Sequence, residues 1–297
     1  MLFRSKKEES AKVVSEVVDV FRCPICHQSM KVVDLKSLIC SNNHTFDFAK
    51  QGYINLLTRP SNQRYDKKLF KARQKIIIES NLYASLHGQI SKIIMEHLGE
   101  AHNPTVILDA GCGEGSHLQR ILDEWHNGAT TGIGLDIAKE GIIIASKNYQ
   151  NPVWLVGDLV NIPLTDRSCH VVLNILSPAN YLEFKRILAP GGIIVKILPH
   201  PNYLKELREV IFAGSNKETY TNDEAISLFK QHFDLASDFK FSHFKKLDQA
   251  EIMNLIQMSP LAWNAGKEKI DFLINRGFSG VTVDLDILVG VNKPAEN

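Results

Sequence analysis

The chain has 297 residues, of which 44% are hydrophobic and 23% are charged, and its formal net charge is +1. This composition excludes a disordered protein and a disulfide-rich miniprotein, and at roughly 150 residues per domain the length indicates about two domains. No apolar run approaches the roughly 18 to 20 residues that cross a bilayer, and the N-terminus lacks the apolar core of a signal peptide, so we expect a cytoplasmic protein without a membrane partner.

The chain begins with two segments of different character. Residues 1–20 are charged and show weak helical periodicity, which indicates an exposed, partly ordered extension. Residues 21–58 contain three of the five cysteines. They also contain three short β-prone runs, at 30–33, 37–40 and 53–57, separated by turn residues. This second segment therefore forms a small module of its own.

The cysteines of this module follow a metal-binding pattern. Two residues separate Cys23 from Cys26, and thirteen residues later Cys40 is followed, after three more, by His44. Two ligand pairs on tight turns supply three thiolates and one imidazole, which suits tetrahedral Zn²⁺ and leaves no position open for a substrate. Free cysteines in a reducing compartment are the alternative. We predict a structural zinc site in a zinc-ribbon-like module that the metal helps to fold.

A basic segment follows, and we treat residues 59–81 as a linker that carries a helix over 67–79. Between Arg59 and Lys75 seven basic residues accompany a single acidic one, so the local balance is +6 and the rest of the chain carries −5. Because association with phosphate depends on such a patch rather than on the total charge, the segment is a candidate contact for nucleic acid. A solvated helix face is the alternative.

Residues 82–297 show short apolar runs that alternate with helical stretches. Five buried strands are predicted at 106–110, 131–136, 153–156, 171–176 and 193–198, and a late antiparallel pair at 242–247 and 281–291. This alternation indicates a parallel sheet covered by helices on both faces. The predicted architecture is therefore an α/β domain with a Rossmann-like seven-stranded sheet.

The first of these strands runs into a glycine-rich turn at the start of a helix. Asp109 is followed there by Gly111, Gly113, Glu114 and Gly115. Glycine lets the backbone approach a ligand closely, and the helix N-terminus offers free N–H groups. A dinucleotide site favours G-x-G-x-x-G, whereas this loop reads G-x-G-x-G.

Acidic residues follow the next two strands. Asp136 ends the second strand, where a carboxylate can accept both hydroxyls of a ribose, and Asp158 follows the third, near the expected position of an adenine amine. Together with the glycine-rich turn, these positions predict an S-adenosylmethionine pocket and hence a class I methyltransferase. We expect the five loop residues and both carboxylates to contact the cofactor.

The fourth strand ends at Asn174, where the methyl acceptor must approach the sulfonium. Its amide offers a donor and an acceptor to a base edge, so Asn174 is the candidate catalytic residue. An enzyme that methylates the amino group of adenine would show Asn-Pro-Pro-aromatic here, and the chain reads Asn-Ile-Leu-Ser-Pro. A ring nitrogen is then the expected acceptor. In the alternative, Asn174 only caps the strand of a small-molecule methyltransferase.

Several strings of residues together resemble the RlmA family of 23S rRNA guanine-N1 methyltransferases, over about residues 20–292. They are the cysteine and histidine pairs, Gly52-Tyr-x-Asn-Leu-Leu57, Ala72-Arg73, the glycine-rich turn and Met258-Ser-Pro-x-x-Trp263. The resemblance implies methyl transfer from S-adenosylmethionine to N1 of one guanosine in the hairpin 35 loop of 23S rRNA. It also implies a zinc module that helps to hold RNA and a homodimer with a shared cleft. Family members described in Gram-positive bacteria affect macrolide action.

By position, the resemblance implies cofactor contacts at Tyr83, Gly113, Glu114 and Tyr203, the last of which is often histidine in relatives. The chain differs from its relatives at two places that bear on which of the neighbouring guanosines is methylated. The chain reads Arg64-Tyr-Asp-Lys-Lys68 where relatives often show Gly-Asp, and Trp263-Asn-Ala where some show Trp-Arg-Ala.

The proton acceptor is not evident from the sequence. Guanine N1 carries a proton whose pKa lies well above neutrality, so methyl transfer requires its removal or a strong shift by hydrogen bonding. Asp136 and Asp158 are assigned to the cofactor, so we expect Asn174 and backbone groups near Pro178 to position the base while alignment supplies most of the acceleration. Trp263 and Tyr53 are candidates to stack on an unstacked guanosine.

Two other functions stay open at this point. A quinone-type small-molecule methyltransferase would explain the pocket but neither the cysteine module nor the basic segment. A non-catalytic, zinc-dependent RNA-binding or antibiotic-sensing protein would explain both of these but would not turn over.

Overall fold

A small and a large β-sheet organise the computed structural model, which describes residues 5–60, 65–99, 104–125, 129–215, 219–275 and 280–292. The small sheet holds three antiparallel strands, in the order β1 (Met30–Val33), β2 (Ser37–Cys40) and β3 (Thr45–Asp47). The turn between β1 and β2 places Asp34 and Leu35 at positive φ, as a tight hairpin requires. This sheet is part of the predicted cysteine module.

The N-terminal helix α1 (Lys6–Glu16) packs on this module. Ser5 and Glu8 form a capping box at its start. Ala11 and Val14, one turn apart, are both 0% exposed, and the Ser10 hydroxyl donates to the Gly52 carbonyl over 2.5 Å. Residues 6–16 thus form an ordered helix that buries one face and exposes the other, whereas the sequence predicts an exposed and only partly ordered extension. Two small apolar residues in a charged segment give only a weak periodicity, although they suffice to anchor one helix face.

The large sheet contains eight strands in the order β10-β11-β9-β8-β5-β6-β7-β4. Seven of them belong to the predicted α/β domain: β5 (Thr105–Ala110), β6 (Thr130–Asp136), β7 (Val153–Val156), β8 (Cys169–Ile175), β9 (Leu188–Pro199), β10 (Phe233–Lys245) and β11 (Val281–Asn292). Strands β5 to β9 are mutually parallel, and β11 runs antiparallel to both β9 and β10. The eighth strand, β4 (Ile54–Asn55), comes from the cysteine module and pairs in parallel with β7. The module thus extends the large sheet instead of standing apart from it.

Helices cover both faces of this sheet. They are α2 (Lys67–Gln74), continued by a π-helical turn at Lys75–Glu79, then α3 (Ala84–Leu98), α4 (Ser116–Glu124), α5 (Lys139–Asn148), α6 (Tyr181–Ile187), α7 (Lys205–Ile211), α8 (Asp223–His232), α9 (Gln249–Met258) and α10 (Lys267–Asn275). Alternate residues of β5 enter different cores, with Ile107 in one and Val106 and Leu108 in the other. None of the described helices has the length and apolar character to cross a membrane.

The strand order creates one place suited to a ligand. Strands β5 and β8 are neighbours in the sheet. Strands β6 and β7 follow on the far side of β5, and β9 follows on the far side of β8, so the order of the parallel strands reverses between β5 and β8. In open α/β sheets ligands bind at the carboxyl ends of the strands at such a switch point. The glycine-rich turn follows β5 at this edge.

Candidate active site and metal centre

The four predicted metal ligands come together in the small module. Their ligand atoms all lie within 4.8 Å of one another. The distances are 3.5 Å from Cys23 Sγ to His44 Nδ1, 3.4 Å from Cys40 Sγ to the same nitrogen, and 3.6 Å between the sulfurs of Cys26 and Cys40. A tetrahedral Zn²⁺ with Zn–S near 2.3 Å separates such atoms by about 3.5 to 3.8 Å. The donor set and its spacing therefore fit zinc.

Two tight turns hold these ligands. The His27 N–H donates to the Cys23 carbonyl over 2.9 Å, and the Asn43 N–H donates to the Cys40 carbonyl over 2.9 Å. In the second turn, the backbone N–H of His44 also points at Cys40 Sγ over 3.3 Å, which stabilises a thiolate. His27 is exposed and lies outside the cluster.

A cavity of about 1090 Å³ opens at the carboxyl ends of the parallel strands. This volume lies at the upper end of the range for small-molecule pockets. Six of the predicted cofactor residues line it, namely Tyr83, Gly111, Gly113, Asp136, Asp158 and Tyr203. Three others, Asp109, Glu114 and Gly115, do not line it.

The glycine-rich turn forms the floor of this cavity and is held by Asp136. One carboxylate oxygen of Asp136 accepts from the Gly113 N–H over 2.8 Å, and the other accepts from the Ala138 N–H over 2.7 Å. Gly111 has a φ of +85°, and a Cβ there would lie 2.7 Å from Ser177 Cβ. Each oxygen of Asp136 retains lone pairs for further donors, and the residue is only partly covered. A glycine floor beside an accessible carboxylate fits the ribose end of S-adenosylmethionine.

Asp109, Glu114 and Gly115 lie behind the cavity lining in this conformation, and their direct contact with the cofactor stays a prediction. Asp109 is 1% exposed, and burial raises its pKa to about 7, although Arg73 opposes that effect. Glu114 is fully buried and forms an ion pair with Arg73. Gly115 starts α4, and a side chain there would overlap with Trp154. Because these residues lie behind the turn, they shape the loop that faces the ligand.

Helix α2 forms a wall of the cavity, which differs from the predicted linker. Its residues Leu69 and Phe70 are buried and line the cavity. The Arg73 guanidinium donates to the Cys112 carbonyl over 3.3 Å and reaches Glu114, 41 residues further along the chain. Burial disfavours the Arg73 charge, but Glu114 more than compensates and raises its pKa. Within the sequence, only the Ala72-Arg73 string of the family resemblance pointed to this residue.

Two pairs of aromatic and imidazole groups close another side of the cavity. The hydroxyls of Tyr83 and Tyr203 lie 2.6 Å apart, and burial raises the pKa of both. His117 Nδ1 lies 2.8 Å from His87 Nε2, and burial lowers the pKa of His87 to about 3, so this pair is neutral. Tyr203, where relatives often carry histidine, thus forms a hydrogen bond with Tyr83, and both residues line the cavity.

Asn174 lies one layer behind the cavity. It is 0% exposed, and three oxygens surround the two hydrogens of its amide nitrogen: the Ala110 carbonyl (2.9 Å), Ser177 Oγ (2.6 Å) and the Pro178 carbonyl (2.9 Å). Its oxygen accepts from Lys196 Nζ. Protein groups use both ends of the amide in this conformation, and the direct contact between Asn174 and a base stays a prediction. Lys196 itself lines the cavity, and sequence reasoning missed it.

The two candidate stacking residues differ in accessibility. Tyr53 is 7% exposed and belongs to the core, which excludes it as a stacking surface. Trp263 is 42% exposed and contacts Tyr65 edge-on, with ring centroids 5.3 Å apart. Tyr65 is 38% exposed and lines the cavity, so this aromatic pair lies at the cavity mouth.

Two family models match the chain. A zinc-ribbon model described as "RlmA, N-terminal" matches residues 21–65, and a model described as a methyltransferase domain matches residues 107–192. With the mostly parallel sheet and the cysteine–histidine cluster, these matches confirm the predicted fold class.

Three relatives match over most of their length. The chain is 40% identical over 274 residues to Bacillus subtilis (strain 168) YxjB, provisionally named a 23S rRNA (guanine-N1)-methyltransferase, which covers 92% of this chain and 97% of YxjB. It is 29% identical over 255 residues to the 23S rRNA (guanine(748)-N1)-methyltransferase of Streptomyces fradiae, covering 86% and 89% of the two chains. It is 26% identical over 289 residues to a Micromonospora griseorubida protein with the same provisional name as YxjB, covering 92% and 97%.

Proposed function

Because the chain belongs to the RlmA family of 23S rRNA (guanine-N1)-methyltransferases, we propose that it methylates N1 of one guanosine in the hairpin 35 loop of 23S rRNA, with S-adenosylmethionine as donor. The observation that supports this best is the cavity at the carboxyl ends of β5 to β9, one wall of which is a helix with an exposed basic face. A methyl donor and an RNA base can meet there.

Five residues of the cavity are suited to hold the donor. The backbone of Gly111 and Gly113 would lie beneath it, Asp136 would accept from its ribose, and Asp158 would accept from its adenine amine. Tyr83, fixed by Tyr203, would border the methionine part. When bound, S-adenosylmethionine supplies an electrophilic methyl group on a sulfonium. The protein supplies alignment of the acceptor, exclusion of water and removal of the N1 proton.

The RNA would approach along α2 and the aromatic pair at the cavity mouth. Lys67, Lys68, Lys71 and Lys75 are exposed on this face, whereas Arg73 turns inward. An unstacked guanine entering the cavity would pass Tyr65 and Trp263, on which it can stack. Arg64 of the basic segment lies outside the described residues.

Neutralising three of these lysines should weaken RNA binding and its salt dependence. The variant Lys67→Gln/Lys68→Gln/Lys71→Gln is expected to reduce the slope of log K against log salt by about 2, since each lost phosphate contact contributes about 0.7 to 0.9. Binding of a hairpin 35 RNA, measured at several salt concentrations, checks this. A matched control, Lys230→Gln/Lys240→Gln, should keep the wild-type slope. An unchanged slope in the triple variant would exclude α2 from the interface.

We further propose that zinc occupies the cysteine–histidine cluster as a structural ion and that the enzyme works in the cytoplasm as a homodimer with a shared cleft. Methylation of the hairpin 35 loop is proposed to alter the response to macrolides. Light scattering of the purified protein tests the dimer, and macrolide susceptibility of a strain lacking the gene tests the response.

The methyl transfer itself is tested with tritiated S-adenosylmethionine and ribosomal RNA from a strain that lacks the gene. Label is expected in 23S rRNA, at a hairpin 35 guanosine located by mass mapping and by a reverse-transcription stop, because N1 methylation blocks the pairing edge. Label in a lipid quinone would instead indicate the small-molecule methyltransferase. Cofactor binding without transfer would indicate a non-catalytic RNA-binding protein.

A further inference from the structure

Lys196 is a buried cation on the wall of the cavity. It lies on β9 in register with Asn174 on β8, and it is 4% exposed. Its immediate neighbours along the strand, Val195 and Ile197, are apolar and fully buried. Lysine is almost never this deeply buried unless it is paired. Among the described residues, however, none of the ion pairs includes Lys196.

Two neutral oxygens hold the side-chain nitrogen instead. Lys196 Nζ donates to Asn174 Oδ1 and, over 2.7 Å, to the Ser177 carbonyl. The Asn174 amide is held in this orientation, because its nitrogen lies within hydrogen-bond distance of three oxygens, those of the Ala110 and Pro178 carbonyls and Ser177 Oγ, which compete for its two hydrogens. Asn174 is therefore a positioning residue for the lysine.

This arrangement matches the needs of an uncharged amine. Neutral Lys196 has two hydrogens and one lone pair, and the two oxygens account for both hydrogens. The described part of the chain gives Nζ no third partner, which leaves the lone pair for a group in the cavity. An ammonium would have to place its third hydrogen there without a partner.

The surroundings also favour the uncharged form. Burial lowers the pKa of Lys196 to about 8, so roughly one tenth of the molecules carry the neutral amine at pH 7. The titratable groups on the elements that pack against β9 contact residues other than Lys196. The pairs are Asp284 with His200, Asp286 with Asn222, His87 with His117, and Glu183 with Arg186. Tyr181 packs among aromatic rings. None of these partners is Lys196.

Several other titratable groups of the cavity already form hydrogen bonds with protein groups. Both oxygens of Asp136 accept backbone N–H groups, and one oxygen of Asp158 accepts the Val160 N–H. His117 is bound to His87, and Tyr83 to Tyr203. Lys196 differs from these groups in that the described part of the chain gives its amine two hydrogen-bond acceptors and no donor, so a neutral amine would direct its lone pair into the cavity.

Resting on the proposed function, we propose that neutral Lys196 is the general base that removes the N1 proton of the target guanine. The amine lone pair takes the proton, and the electron pair of the N1–H bond remains on N1. N1 then forms a bond to the methyl carbon as the carbon–sulfur bond breaks and its electrons stay on sulfur. The products are the lysine ammonium, methylated guanine and the neutral thioether, so atoms and charge balance.

The pH dependence of single-turnover methylation tests this role. In the wild type the rate should rise about tenfold per pH unit and level off above about pH 8, because the neutral fraction of Lys196 increases until then. Lys196→Met should lower the rate at pH 7 by about 100-fold or more, and its rate should keep rising above pH 8 as solvent deprotonates guanine. Lys196→Arg should be equally slow, since a guanidinium can donate to the same oxygens but cannot lose its proton. Restoration of the rate by arginine would overturn the role as base.

Three further measurements separate this role from a structural one. Lys240→Met, at an exposed position on β10, should keep the wild-type rate and profile. Asn174→Ala should move the plateau to lower pH, because the ammonium loses an acceptor; an unchanged rate and profile would overturn the positioning role of Asn174. Calorimetric binding of S-adenosylhomocysteine should be unchanged in Lys196→Met.

A readout that needs no turnover is the titration of Lys196 by nuclear magnetic resonance, with lysine labelled at Cε. A signal that titrates near pH 8 and vanishes in Lys196→Met is expected, whereas titration near the ordinary value of 10.5 would overturn the proposal. Failure of the wild type to methylate 23S rRNA would overturn the proposed function and the base role together. Methylation by the wild type with the same rate and pH profile in Lys196→Met would overturn the base role alone.

Discussion

Cys40→Ser is expected to remove the bound zinc and to unfold the cysteine module. The module has too few residues for a core of its own, and its buried Phe21, Leu38 and Phe48 share one apolar cluster with the large sheet. In small domains of this kind the free energy of metal binding, about 10 to 16 kcal/mol in zinc-finger peptides, is free energy of folding. Loss of one of four ligands forfeits much of it.

Unfolding of the module should also destabilise the large sheet. Strand β4 covers the edge of β7, and the Leu56 N–H donates to the Val156 carbonyl over 2.8 Å. The Arg22 N–H also donates to the Pro163 carbonyl over 3.2 Å. Unfolding of the module would expose this strand edge, so aggregation on heating should accompany the loss.

Zinc content by mass spectrometry and thermal unfolding followed by circular dichroism check this result. The matched control is His27→Ala, next to Cys26 but outside the cluster, which should keep one zinc per chain and the wild-type Tm. The idea of a structural metal fails if Cys40→Ser retains both.

Asp136→Asn is expected to weaken cofactor binding by about 100-fold to 10,000-fold. The asparagine has the same shape but only one acceptor oxygen, and its NH₂ group would face the N–H of Gly113 or of Ala138. The variant therefore loses one bond that holds the glycine-rich turn and the charged acceptor for the ribose. Hydrogen bonds to charged groups contribute about 1.5 to 3 kcal/mol each, so two of them account for the range.

Isothermal titration calorimetry with S-adenosylhomocysteine measures this loss. Asp286→Asn is the matched control, since Asp286 is also a hydrogen-bonded carboxylate on a strand of the large sheet, bound to Asn222 and outside the cavity. The control should bind with wild-type affinity. Equal affinities for Asp136→Asn and the wild type would show that neither the turn nor the ribose depends on this carboxylate.

Some features of the site follow from short-range pattern alone. The spacing of Cys23, Cys26, Cys40 and His44 places each ligand pair on one tight turn, whose geometry is local. The glycine-rich turn likewise follows a buried strand directly, and Asp136 and Asp158 follow the next two. In a parallel sheet such positions meet at one edge whatever surrounds them.

Other features depend on contacts between distant parts of the chain. Arg73 belongs to a segment that is merely basic in sequence, and only packing of α2 on the glycine-rich turn brings it to Glu114. Asn174 is a polar strand end in sequence, but the pairing of β8 with β9 buries it against Lys196. A single lysine within the apolar run at 193–198 was the one local signal for that residue.

The sequence by itself thus determined the two modules, the cysteine–histidine cluster and the strand ends that meet at the cavity, because period and spacing specify them within a few residues. Tertiary structure alone decided which charges stay in solvent and which enter the cavity. The lysines of α2 remain exposed, while Arg73 is largely covered and Lys196 is buried, each with fixed oxygen partners. Burial sets the protonation of such groups, and burial is a property of the packed chain.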